Sequence, residues 1–408
     1  MRNLQTCVAV AVLVGLVGWA FDASAVPGFA RETKEACSSC HTTWSQLTNF
    51  GRDFKESGYD AADEKISEDL AWYQNIPISG RMNMRLIDWR HSKTKTTPVT
   101  DKDKRLKIRA FHEFEVFFAG SFGEDFSFFA ELEGEDEIVN NDNDQRGFDI
   151  WIAHGIVGYH NRPEFNVYAG WSSPFFADPY NTLNARKTNR YGRVVDGFLP
   201  GTGQFLSVSG RYDKVFYMGS WHDHPNKGLD IEGEDPFDLS FRAAVDVLAE
   251  TETTPQVSVG GFYTRTKATH FDAVTEAKLD GFSWNTFGGD AQVDYKSAHL
   301  NLIFVVAEDS LDLTMDGIGD DTSRDWVGTA EAHYFYMPGD RPLAGPSVIF
   351  ENFTKNDELE HWSRLGVFAT AFPKENIKVQ VGWEGDVHAP TQYVEKEGRI
   401  TVVFDAAF

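Results

Sequence analysis

Cysteine is almost absent from this chain of 408 residues: there are three, Cys7, Cys37 and Cys40. A fold stapled by several disulfides, the usual resort of small exported proteins, is therefore excluded. Long hydrophobic runs are equally scarce. The one apolar stretch, Val8 to Phe21, falls short of the about 20 residues that a spanning helix needs. Basic charge is short as well, with 38 Lys and Arg against 62 Asp and Glu and a net of −24. That balance argues against nucleic acid and favours cations or basic proteins as partners. What the chain does have is aromatic weight, 33 Phe and 11 Trp among 14% aromatic residues. This is too rich for a disordered chain, and a mean hydropathy of −0.38 is too polar for a helical membrane protein.

The amino terminus reads as a secretory signal peptide over residues 1–25: Arg2, then the apolar run, then Ala23-Ser24-Ala25 as a small-residue cleavage site. The mature chain is expected to start near Val26. Cleavage takes away Arg2 and Asp22 together, so the net charge is unchanged, and Cys7 leaves with the leader. Cys37 and Cys40 remain, both inside one pentapeptide.

The remainder divides in two. Residues 26–75 read as a small helical domain. Trp44, Leu47, Phe50 and Phe54 recur at spacings of three and four, so one helix is expected after the cysteines, capped by Thr42 or Thr43 and stopped at Gly58. A second short helix is expected over 63–72. From residue 76 to 408 the period changes to two. Phe126, Phe128, Ala130 and Leu132 alternate with Ser127, Glu131 and Glu133; Leu300, Leu302, Phe304 and Val306 repeat the pattern, as do Ile377, Val379, Val381 and Trp383. Segments of about ten alternating residues suit transmembrane β-strands, although a soluble sandwich shows them too.

The links between segments favour the barrel. About 16 segments are joined alternately by short turns and long polar links, the order expected of short periplasmic turns and long external loops. The fold class is thus mainly β: a porin-like transmembrane antiparallel barrel behind a small α-helical domain. A last strand ending on Phe408 fits it. Barrels of 16 to 18 strands leave a wet lumen, and the inward positions here are Lys, Arg, Glu, Asp and Asn. The link at 172–203 carries Arg186, Lys187, Arg190 and Arg193 and is longer than a surface turn requires. It reads either as a segment folded into the pore or as a solvated surface loop.

Cys37-Ser38-Ser39-Cys40-His41 carries the chemistry. Two thiols at this spacing can each form a thioether to one porphyrin, and the adjacent histidine then lies beneath the iron as its axial ligand. A redox dithiol needs a βαβ context that is absent. A zinc site needs further ligands, and neither Cys nor His occurs between His41 and His91. The expected cofactor is one covalent haem c, with Cys37 and Cys40 holding it and His41 as metal ligand. No catalytic residue is assigned.

The sixth ligand is the gap. Residues 42–81 contain neither Met nor His, so the ligand must come from the barrel. Met82 and Met84 share a face with Ile78 and Leu86 and are expected to point to lipid. His299 and His333 fall on inward faces near the periplasmic side and are the candidates, with lumen lining as their ordinary alternative. The external links are acidic, as at Glu133 to Asp144, and would concentrate divalent cations or serve solubility and lipid bridging. His222-Asp223-His224 could bind a metal, though two loop histidines are a weak signal.

The stretches Val26-Pro-Gly-Phe-Ala-Arg-Glu-Thr33, Cys37 to His41 and Leu47-Thr-Asn-Phe-Gly-Arg-Asp-Phe-Lys-Glu-Ser-Gly-Tyr59 resemble the fused outer-membrane cytochrome-porins of iron-oxidising bacteria. The resemblance covers about residues 26–60; Ser45 and Thr48 depart from it, where Pro and Asn would stand, and touch no ligand. It implies a monohaem cytochrome plugging a 16-stranded porin, oxidising extracellular Fe(II) and passing electrons to periplasmic c-type cytochromes. The cytochrome would sit in the periplasmic mouth or lumen of a barrel in the outer membrane lipid, in a homo-oligomer if the barrel assembles as large porins do. Two other readings stay open: a diffusion porin with a redox-sensitive haem plug, and a haem enzyme such as a peroxidase.

Overall fold

The computed structural model describes residues 28–33, 35–43, 46–59, 78–95, 100–122, 125–136, 149–180, 182–183, 194–223, 238–249, 251, 253–271, 278–309, 324–339, 341–355, 360–374, 376–388 and 394–407. The expected leader, Trp44, the helix over 63–72, the four basic residues between 184 and 193, and His224 lie outside them.

The amino-terminal segment contains α1 (Gly28–Thr33), α2 (Cys37–Cys40), a two-stranded ladder of β1 (His41–Thr43) and β2 (Gln46–Leu47), and α3 (Asn49–Glu56). The helix after the cysteines thus starts later than the expected cap at Thr42 or Thr43. Thr48 is the cap: its Oγ1 accepts from Gly51 N at 3.1 Å and donates to Ser39 O at 2.5 Å. An N-cap hydroxyl satisfies one of the first-turn donors. Thr48 N also donates to Cys40 O, so residues 41–47 close a loop on the cysteine turn instead of continuing a helix. Gly58 ends α3 with φ +76°, the left-handed conformation expected there.

Sixteen strands then form one closed antiparallel barrel. The first eight are β3 (Ile78–Lys95), β4 (Thr100–Phe122), β5 (Phe126–Glu135), β6 (Asp149–Arg162), β7 (Phe165–Ser172), β8 (Gly203–Tyr212), β9 (Val215–His222) and β10 (Asp238–Leu248). The rest are β11 (Gln256–Phe271), β12 (Lys278–Tyr295), β13 (Ala298–Asp309), β14 (Arg324–Tyr334), β15 (Ala344–Lys355), β16 (Glu360–Lys374), β17 (Ile377–His388) and β18 (Val394–Ala407). β18 returns to β3, from Val394 opposite Lys95 to Ala407 opposite Arg81, so no edge is left unpaired. A bidentate Arg399–Asp88 pair at 2.7 and 2.6 Å ties the seam on its inner face.

Burial alternates as the sequence pattern requires, but inside out. Leu206, Val208, Trp221, Phe241 and Phe304 are exposed on the outer wall, whereas Ser207, Ser209, Ser220, Ser240 and Thr264 are buried inside. An apolar band around a polar interior is stable only where the outside is hydrocarbon. Phe126, Phe165, Tyr212 and Tyr334 stand exposed at the short-turn end, where an aromatic girdle belongs. Met84 has the outward parity expected of it, while Asn83 and Arg85 are buried inside.

Two segments fill the lumen. The described part of 172–203 folds inward, confirming one of its two readings. Ser220 Oγ donates to Pro174 O at 2.6 Å, Tyr180 OH to Asp246 at 3.2 Å and Thr182 Oγ1 to Asp290 at 2.5 Å. Phe175, Tyr180, Leu183 and Val195 form an apolar core with Phe216, Phe262, Ile303 and Val327 on the wall. The second segment is the amino-terminal one, which enters from the short-turn end. Gly28 N donates to Ser79 Oγ at 2.6 Å, and Arg211 grips Glu56 with two bonds of 2.8 and 2.6 Å. Lys55 Nζ donates to Asp178 O on the inward loop at 2.8 Å. Tyr59 stacks on Phe129 of the wall at 6.2 Å.

Candidate functional site

α2 is a single turn, and it presents Cys37, Cys40 and the following His41 to one cavity of about 780 Å³. That volume lies in the range of small-molecule and cofactor sites, about 300–1,000 Å³. The cavity is bounded by the amino-terminal segment, the inner wall of β3 to β7 with β17 and β18, and the inward loop. Its apolar part is Phe29, Leu47, Phe54, Phe129 and Phe176. Phe50, expected on the same face, is instead exposed and stacks on Phe54, one turn further along α3, at 6.4 Å.

The cysteine turn is held from behind by α3. Gly51 lies so close to α2 that a Cβ there would overlap the Cys40 carbonyl. Gly51→Ala is expected to push the two helices apart at a cost of about 1–3 kcal/mol. The readout is faster proteolytic cutting within 28–59, with the barrel itself still resistant; unchanged cutting contradicts the packing.

No disulfide joins Cys37 and Cys40. Burial pushes the Cys40 thiol up to about 11 from 9.0, with smaller contributions from Cys37 and Glu35. Cys40 therefore stays a protonated thiol at neutral pH. In protein prepared without haem, its thiolate fraction at pH 8 should be about 100-fold below that of an unshifted cysteine. Alkylation by iodoacetamide should be slow at pH 8 and climb through pH 11. Rapid labelling of Cys40 at pH 8 contradicts the burial.

The residues present fit a covalent haem on observations of this structure. Two thiols and an imidazole face one cavity from a single turn, the walls beside them are aromatic, and Arg81, Arg85 and Lys378 supply positive charge on the far side. The far side also carries carboxylates. Glu113, Glu115 and Glu133 each offer an oxygen within 4.8 Å of the others, a set that can hold a divalent cation. Arg81 partly neutralises them, with Glu115 at 2.5 Å, Glu113 at 3.6 Å and Asp405 at 3.2 Å. Glu131 and Glu135 flank Glu133 along β5, Glu131 on the side of the short turns and Glu135 towards the opposite end of the barrel.

The sequence candidates for the sixth ligand are not brought to this cavity. His299 and His333 do face inward and are buried, and they stand opposite each other in the β13–β14 ladder. But β13 lies eight strands from β5 in a ring of sixteen, straight across the lumen, with the inward loop packed between. Each is held locally, His299 Nδ1 by Asp294 at 2.7 Å and His333 Nε2 by Glu331 at 3.1 Å.

Sequence reasoning missed His154, which lines the cavity with His41. A strict period of two groups His154 with Ile150 and Ile152, which are exposed on the outer wall. The ladder slips between Glu131 opposite His154 and Leu132 opposite Ile152, and this bulge at Ala153 turns His154 inward. A similar slip in the β3–β4 ladder buries His112 against Glu135 and Asp136. His222, from the loop pair, is buried and bonded to Ser240 Oγ at 2.8 Å, and its expected partner His224 lies outside the described residues.

No protein-family model matches the chain, and no curated protein sequence matches it. Solved structures do. The chain is similar to OmpF of Salmonella typhi, solved as a complex with daunomycin, at a TM-score of 0.53 and 12% identity over 81% of this chain and 97% of that one. It is similar to the outer membrane channel DcaP of Acinetobacter baumannii at 0.53 and 10%, covering 81% and 96%. An anion-selective porin from Comamonas acidovorans follows at 0.51 and 9%, covering 81% and 99%. The class defined here is therefore architectural: a closed antiparallel barrel of sixteen strands with the fold of the outer-membrane porins.

Proposed function

We propose that this chain is an outer-membrane electron-transfer protein, a porin-type barrel whose periplasmic mouth is closed by a monohaem cytochrome segment. One observation carries the reading: the Cys37–Cys40–His41 turn opens into a cavity of cofactor size inside a closed barrel. A haem c bound there supplies a one-electron couple. The chain's own residues do the rest. Cys37 and Cys40 would fix the group covalently and His41 would present its imidazole to the iron. Phe29, Phe54 and Phe129 exclude water, and the lumen carboxylates draw cations along the wall towards the cavity. The donor that fits this charge is extracellular Fe(II), which gives up one electron and leaves as Fe(III). The acceptor is a periplasmic c-type cytochrome docking at the short-turn end. The chain has one Cys-x-x-Cys-His motif, so it would hold a single such centre.

The test is anaerobic addition of Fe(II) to purified, oxidised protein. The absorption bands of reduced haem c should appear in proportion to the haem present. No reduction at the pH at which the source organism grows overturns the function and leaves the fold untouched.

A second reading is favoured by the fold itself, which is that of porins. In it the barrel passes solutes and the haem segment gates them. That reading requires appreciable ion conductance in planar bilayers that changes when the haem is reduced. The first requires low conductance in both redox states.

A further inference from the structure

We infer that His154 is the second axial ligand of the haem, donated by the barrel wall. The inference rests on Cys37–His41 being the attachment site. His41 reaches the cavity from the amino-terminal segment, and His154 reaches it from β6 of the barrel wall. Both imidazoles thus line one cofactor-sized space.

The setting of His154 is that of a held ligand. Its Nδ1 lies 2.8 Å from Ser172 Oγ, and Ser172 is itself 1% exposed at the end of the neighbouring strand. A histidine that binds metal typically donates its other ring N–H to such a partner, which fixes the tautomer and the ring plane. The other ring nitrogen, Nε2, lies 3.7 Å from Glu131 Oε2, and Glu131 lines the same cavity. The ring is bracketed by Phe129 at 6.1 Å and Phe176 at 6.5 Å, both on the apolar side of the same cavity.

The competitors are committed elsewhere. Among the described residues no methionine lines the cavity, nor does His112, His160, His222, His299 or His333. His160 is bound at both ring nitrogens, to Ser127 at 2.7 Å and Asn166 at 3.1 Å. The cavity's lysines are engaged too, Lys55 with Asp178 O at 2.8 Å and Lys378 with Asp405 at 2.9 Å. The absence of Met and His from 42–81 follows: a ligand from the wall makes one on the cytochrome segment superfluous. It also makes the haem a strap between the two parts of the molecule. With two imidazoles on the iron, the potential sits below that of a Met/His centre.

The experiment uses the full chain with its haem, examined by absorption and electron paramagnetic resonance in the oxidised state. The wild type should be six-coordinate and low-spin. His154→Ala should keep its covalent haem but turn high-spin, and added imidazole should restore the low-spin spectrum. His154→Met should raise the potential. Retention of the barrel is read from the heat-dependent mobility of each variant on gels. A low-spin His154→Ala without added imidazole overturns the assignment, as does a high-spin wild type, and both leave the proposed function standing. A wild type purified from cells competent in cytochrome c maturation and carrying no covalent haem overturns both.

Discussion

Removing residues 26–75 should convert a nearly closed barrel into an open channel, with single-channel conductance rising several-fold. The ring does not need that segment for closure, because β18 pairs with β3 from Arg81 onward. What the segment does is occupy the short-turn end of the lumen. It is tied there by Gly28 to Ser79, Glu56 to Arg211 and Lys55 to Asp178, and it rests on the wall through Tyr59 and Phe129. Deletion joins the cavity of about 780 Å³ to the solvent at that end. The inward loop remains, because its core with Phe216, Phe262 and Ile303 is independent of residues 28–59. Conductance should therefore rise without reaching that of an unobstructed sixteen-stranded pore. Equal conductance before and after deletion would mean that the segment does not block the lumen.

Cys37→Ser with Cys40→Ser should abolish covalent haem and every haem-dependent signal while the barrel still assembles. A hydroxyl cannot form the thioether, and no other cysteine survives removal of the expected leader. Each single variant should retain one bond, leaving one vinyl group unsaturated and shifting the reduced bands to longer wavelength. The measurement is haem-dependent peroxidase staining after denaturing electrophoresis. A stained band for the double variant would show attachment elsewhere.

Much of this architecture was legible from spacing. The period of two and the alternation of short and long links are direct consequences of a wall with lipid on one side and water on the other. Parity failed where the chain slips by one residue. The bulge at Ala153 turned His154 inward although Ile150 and Ile152 beside it face out. A single inserted residue inverts every side chain beyond it, and no composition signal marks it. His299 and His333 were correctly read as inward, but their distance around the ring depends on closure, which local periodicity does not encode. Thr48 was overlooked as the cap because Thr42 and Thr43 offer the same chemistry nearer the cysteines. The contact of Gly51 with Cys40 decides between them, and it is tertiary. The motif at Cys37–His41 was legible in the sequence; the cavity it faces was not, being built from segments as far apart as Gly28 and Ala407.

In the proposed function electrons cross this barrel through a haem held at Cys37, Cys40 and His41. Its most direct test encloses an oxidised soluble cytochrome c in liposomes bearing the purified protein and adds Fe(II) outside under anaerobic conditions. The enclosed cytochrome should be reduced with the wild type and stay oxidised with Cys37→Ser/Cys40→Ser. An enclosed cytochrome that stays oxidised with the haem-loaded wild type, or one reduced equally by the double variant, would contradict it.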